Sequence, residues 1–281
     1  MQFEDLLYEV TDKVATITLN RPDKLNAARA STYDEIVAAL DLADGDDNVR
    51  AVIITANGRA FCAGTDLSDG FKLPMGGDPV TGEGVPRDLG GRVTLRLYDM
   101  QKPVIGAING AAVGFGASFL LAMDIRIAVE TARFGFVFSR RGIIAESCSS
   151  WFLPRVVGIA TASEWMITGR LVGAQEAKDA GLLNKIVAAD SLLAEAREIA
   201  RSIVDETAPV SVAINRQLLW RMLSADHPLV AHELESRGIA ERLTSPDSQE
   251  GARAFAEKRS PRFPQPPSAS AYIQNWWKKN P

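Results

Sequence analysis

Three short stretches of this chain hold residue types that could do chemistry. Phe61-Cys62-Ala63-Gly64-Thr65-Asp66-Leu67 follows a strand and loop, and Asn109-Gly110-Ala111-Ala112-Val113-Gly114-Phe115-Gly116-Ala117 lies between a strand and a helix. Small residues let a substrate approach the backbone closely, and a helix N-terminus offers free N–H groups to an oxygen that gains negative charge. The third stretch, Gly142-Ile143-Ile144-Ala145-Glu146-Ser147-Cys148-Ser149-Ser150, sets one carboxylate ahead of a helix expected from Ser149. A carboxylate there can carry protons, or it can merely stabilise the helix N-terminus, an effect worth at most about 1 kcal/mol. Taken singly, each glycine turn also reads as an ordinary tight βα turn.

Other chemistries find little support. Gly114-Phe115-Gly116 could open a dinucleotide fingerprint, but Phe119 stands where the third glycine belongs and no βαβ unit opens the chain. The two histidines, His227 and His232, sit in a late polar helix, and Cys62 and Cys148 show no metal-ligand spacing. No metal site is expected. Asp66 and Asp124 read as structural hydrogen-bonding residues, and Arg140-Arg141 as a solvated pair.

The 281 residues suffice for one large domain or a core with an appendage. Net charge is −4, which gives nucleic acid no reason to bind. Two distant cysteines suit a reduced, cytoplasmic protein. The apolar stretches around 104–129 are broken by Asn109, glycines, Asp124 and Arg126, well short of the ~20 apolar residues that a membrane span needs.

The elements that must hold these turns follow from hydrophobic period. Leu7–Val10 and Val14–Leu19 predict a β-hairpin. Tyr33, Ile36, Val37 and Leu40 share one face of a helix ended by Gly45. Ala51–Thr55, Val104–Ile108 and Ile125–Val129 read as buried strands, and Gly114–Ala122 as a small-residue helix. The Gly- and Pro-rich segment Asp69–Gly91 reads as a surface loop. Beyond Ser149 the periodicity is helical. The fold class is therefore α/β with a helical C-terminal subdomain. The expected division is a core over 1–205, a helical subdomain over 206–265 and an arm over 266–281. The arm's Trp276-Trp277 reads as an intersubunit packing element.

In combination the motifs resemble the crotonase (enoyl-CoA hydratase/isomerase) superfamily. Asn20-Arg21-Pro22-Asp23-Lys24-Leu25-Asn26-Ala27, Ala63-Gly64-x-Asp66 and the Asn109–Gly116 turn stand in that family's order. Gly169-Arg170 with Ala174–Leu182, and Glu250-Gly251 through Phe255-x-x-Lys258-Arg259, match as well. The resemblance implies a spiral of ββα units with a helical trimerisation region, assembled as a trimer or a dimer of trimers. It implies an acyl-CoA thioester substrate, with no cofactor apart from the coenzyme A that the substrate carries. It further implies that the amides of Thr65 and Phe115 form an oxyanion hole. Lys24, Leu25, Ala27, Ala63, Gly64 and Leu67 would hold the adenine end of CoA, and Lys258 and Arg259 its phosphates.

Preorganised amides of this kind are each worth roughly 3–4 kcal/mol where a thioester enolate forms. The two glutamates typical of hydratases are replaced by Ser118 and Phe138, whereas Glu146 stands where Δ3,Δ2-enoyl-CoA isomerases carry their single catalytic glutamate. Isomerisation with Glu146 as proton shuttle, its pKa raised by an apolar wall of Phe138 and Ile144, is the leading expectation. A divergent hydratase or hydrolase using the same glutamate, and an acyl-CoA-binding protein without turnover, are the alternatives.

Overall fold

The computed structural model describes residues 2–68, 70 and 86–269. Trp276-Trp277 and much of the Asp69–Gly91 segment lie outside the described residues. Along the chain, the hairpin β1 (Leu6–Thr11) and β2 (Val14–Leu19) leads through a short 3-10 turn into α1 (Ala30–Gly45) and β3 (Ala51–Ala56). Then come β4 (Ala60–Cys62), α2 (Leu89–Asp99), β5 (Val104–Ile108), β6 (Ala111–Val113), α3 (Phe115–Phe119), β7 (Ile125–Val129) and β8 (Arg133–Gly135). The helical half holds α4 (Ser149–Val157), α5 (Ile159–Thr168), β9 (Leu171–Gly173), α6 (Ala174–Asp179), β10 (Lys185–Val187) and α7 (Leu192–Glu206). It ends in α8 (Pro209–Met222), α9 (Pro228–Leu243) and α10 (Pro246–Glu257).

Two sheets result. The longer has the order β1-β2-β3-β5-β7-β10 and is parallel apart from the hairpin; the shorter has the order β4-β6-β8-β9. The pairs β3/β4, β5/β6 and β7/β8 each send one strand to either sheet. Each pair is followed by helix, which makes the repeating ββα turn of a spiral. A parallel sheet must be covered on both faces, and every residue of β3 and β5 is buried. Helix α7 supplies one cover, packing on β3, β5 and β7. The long strands end within one residue of their expected limits. The shorter sheet was not expected, because three residues are too few to display a period of two.

Asp124, expected to be structural, ties the C-terminal helices to this core. Its carboxylate accepts from Val104 N, Arg216 Nε and Trp220 Nε1, each at 2.7 Å. Arg216 is 5% exposed and also donates to the carbonyl oxygens of Leu97, Tyr98 and Met100, so its charge is both paired and fully hydrogen-bonded. Among the described residues no helix is long and apolar enough to cross a membrane.

Candidate active site

The two glycine turns meet back to back. Gly64 has φ +104° and Gly114 φ +56°, conformations that side chains resist. A Cβ on Gly114 would lie 3.8 Å from the Gly64 Cα, and one on Gly64 would lie 2.9 Å from the Val113 carbonyl oxygen. Gly116 lies against β4, where a Cβ would collide with the Cys62 carbonyl. The residue after each positive-φ glycine is Thr65 or Phe115. Neither of their backbone N–H groups donates to a partner among the described residues. The Phe115 ring is buried, edge-on to Tyr33 with centroids 4.6 Å apart and stacked on Phe119 at 4.9 Å. Tyr33 in turn fixes Thr65, hydroxyl to hydroxyl, at 2.8 Å.

The loop after the hairpin is zipped onto the first turn. Ala63 N donates to Leu25 O at 3.0 Å, Ala28 N to Gly64 O at 2.8 Å, and Asp66 N to Ala28 O at 2.8 Å. The Asn26 amide donates to Asn57 O and Ala60 O, both at 2.8 Å, which locks the loop to the end of β3 and the start of β4. Leu25 and Ala27 thus lie beside Ala63 and the buried Gly64, with Lys24 and Leu67 exposed at either end. Asp66 is occupied structurally, bound by Ser68 and by Arg21 at 3.1 Å, which holds its carboxyl low, at about 2. Lys258 and Arg259 are elsewhere in the single chain, at the end of α10, which packs on α9. Arg259 is paired there with Glu250 and Glu257, each at 2.6 Å.

Glu146 does not cap α4 with its side chain. Its carbonyl takes that part, accepting from Ser149 N at 3.0 Å and Ser149 Oγ at 2.7 Å. The carboxyl is free to turn inward, because Ser147 and Cys148 both adopt left-handed backbone at φ +55°. Ser147 Oγ donates to Glu146 Oε2, while the buried Oε1 receives no hydrogen bond among the described residues. Gly90, in the first turn of α2, makes room for this arrangement. A Cβ there would collide with Ser147 Oγ and lie 2.7 Å from Glu146 Oε2 and 2.9 Å from Phe115 Cδ2. One glycine therefore joins the acid to the second turn.

Burial, and then the nearby charge of Asp88, push the Glu146 carboxyl up to about 8, against the pull of the Ser147 hydroxyl. The apolar wall expected from Ile144 is absent, since that side chain is 86% exposed. Ser118 and Phe138, the positions of the lost hydratase acids, are both buried, and Ser118 Oγ has no hydrogen-bond partner among the described residues. Two functional-site residues escaped the sequence reading. Ser147 is one polar residue among several in its stretch, and nothing in the spacing singles it out. Asp88 stands inside the Gly- and Pro-rich segment that reads as a loop, although Asp-Leu-Gly-Gly ahead of Leu97 carries an N-cap signal: Asp88 accepts from Gly90 N and Gly91 N, each at 3.0 Å.

A spiral of ββα turns, with two unpaired amides beside a buried acid, defines the crotonase class of enzyme. The family model for enoyl-CoA hydratase/isomerase matches residues 9–266, and the chain belongs to that family. It is 40% identical over 253 residues to enoyl-CoA hydratase ACTT3 of Alternaria alternata, covering 90% of this chain and 83% of that one. It is 35% identical over 262 residues to 1,2-epoxyphenylacetyl-CoA isomerase of Escherichia coli (strain K12), covering 92% and 98%. Among solved structures, an enoyl-CoA hydratase/isomerase from Mycobacterium paratuberculosis superposes with TM-score 0.81 at 35% identity, covering 94% and 99%.

Proposed function

We propose that the enzyme moves the double bond of an enoyl-CoA thioester from C3 to C2, with Glu146 as the proton carrier. The thioester carbonyl oxygen is placed between the Thr65 and Phe115 amides. Glu146 removes a C2 proton, and the freed electron pair passes into a dienolate whose charge rests on that oxygen. The same carboxyl then returns the proton at C4, and the charge flows back to leave a C2–C3 double bond. The observation that carries this reading is the buried Glu146 carboxyl, pushed up to about 8 and seated on the glycine that also touches Phe115. An acid in that range both accepts and returns a proton near neutral pH. The adenine end of CoA lies along Lys24–Ala27, Ala63 and Leu67.

Hydration is the second reading, because Asp88 places another carboxylate beside Glu146 where one could activate water. Supplying 3-enoyl-CoA and 2-enoyl-CoA separately and identifying the products decides. Conversion of the 3-enoyl to the 2-enoyl thioester without a 3-hydroxyacyl product supports isomerisation, and a 3-hydroxyacyl product from 2-enoyl-CoA overturns it.

The chain works as a homo-oligomer, trimer or dimer of trimers, a reading supported by the exposed Leu219, Ile239, Leu243 and Phe255 on α8, α9 and α10.

A further inference from the structure

Asp88 is held by more than a helix cap requires. Besides its two bonds to the first turn of α2, Oδ2 accepts the backbone N–H of Ser147 at 2.5 Å. Ser147 is the residue whose hydroxyl holds Glu146, so one residue grips both acids, Asp88 by its backbone and Glu146 by its side chain. The two carboxyls are thereby held on the N–H and the hydroxyl of one residue, and the charge of Asp88 acts on Glu146. A carboxylate held near a second one makes the second harder to ionise. Glu146 is recessed and Asp88 is exposed, so the pair also spans the distance from the buried acid to solvent.

The other groups near the pair are Tyr33 on α1, Cys62 on β4 and Cys148 at the start of α4. The Tyr33 and Cys62 hydrogens are held above their usual range, chiefly by burial, so both stay neutral at working pH. Among the described residues no cation acts on Glu146. Asp88 is therefore the charge that Glu146 senses.

We propose that Asp88 is a positioning residue of this active site, whose carboxylate, held by the same Ser147 that holds Glu146, sets the pH at which Glu146 can take a proton from substrate. The inference deepens the isomerase reading, and rests on it only for the identity of that substrate.

The test replaces Asp88 by Asn, which caps a helix as well as Asp does, and by Ser as a second uncharged cap. The Glu146 carboxyl is titrated in the substrate-free protein by its infrared C=O band, assigned by difference from Glu146→Gln. In Asp88→Asn the midpoint is expected to fall by about one pH unit or more. The rising limb of kcat/KM for 3-enoyl-CoA is expected to fall with it. A purely structural cap would leave both in place, and an unchanged midpoint in the folded Asn and Ser variants overturns the proposal. If the midpoint falls but the parent protein does not isomerise 3-enoyl-CoA, the pairing stands and the isomerase reading fails.

Discussion

Ser147 holds Glu146 Oε2 through its hydroxyl, from a backbone wound into the left-handed region at φ +55°. A non-glycine residue there costs on the order of 1–3 kcal/mol, and in return the hydroxyl points back at its neighbour. That bond favours the carboxylate and opposes both burial and Asp88. Ser147→Ala should therefore raise the Glu146 midpoint, opposite in sign to Asp88→Asn, and cut the rate several-fold at pH 7 with partial recovery at pH 9. A pH–rate profile of the variant checks the sign.

Glu146→Gln should lower isomerisation by about 100-fold or more, the usual contribution of a general acid–base group, while acyl-CoA affinity changes little. Product analysis and a direct binding titration measure the two separately. A variant keeping more than about a tenth of the parent rate would place the proton carrier elsewhere.

The same acid links stability to pH. Folded, Glu146 keeps its proton up to about pH 8, against an ordinary value of 4.5 for a free glutamate. Between those values the native state binds more protons than the unfolded one, so stability is lost as pH rises through that window. Glu146→Gln lacks this dependence. Its melting temperature should exceed the parent's by roughly 5–10 °C at pH 8.5, and the difference should close towards pH 5. Thermal melts at several pH values test this, and a constant difference would refute it.

Gly64→Ala forces a Cβ towards the Val113 carbonyl at a φ of +104°. The Thr65 amide should be displaced, lowering kcat by about 100-fold or more with KM little altered, the signature of a contact made in the transition state. Steady-state kinetics on a variant shown to be folded by circular dichroism would decide.

Lys258→Ala is expected to raise KM for a CoA thioester several-fold, more at low salt than at high, and to leave the truncated pantetheine thioester unchanged. Arg259→Ala should do less, because its guanidinium is already committed to Glu250 and Glu257. Equal weakening of both substrates by Lys258→Ala would mean that the residue does not meet phosphate.

What the sequence made legible was whatever had length or a specific spacing. Val104–Ile108 and Ile125–Val129 appear where their periods put them, and the Gly64 and Gly114 turns face each other as their family order implies. Chemistry set by contact across the fold was not legible. Asp88 and Glu146 lie far apart in the chain, and only the packing of α2 against the Glu146–Cys148 turn brings them together. Ile144 shows the opposite failure, since an apolar residue two positions from an acid says nothing about which way either side chain points.

The contact between Gly64 and Gly114 also bears on how the enzyme could be altered. A Cβ on Gly64 would press on the Val113 carbonyl, and both glycines hold positive φ, so a side chain at either position strains its own turn and one at Gly64 also presses on the other. The carboxyls hang from separate supports, the start of α2 and the turn before α4, and neither shares that backbone contact. A redesign aimed at a different reaction on CoA thioesters should therefore vary Asp88 and residues 146–148 and treat Gly64, Gly114 and Gly90 as fixed scaffold.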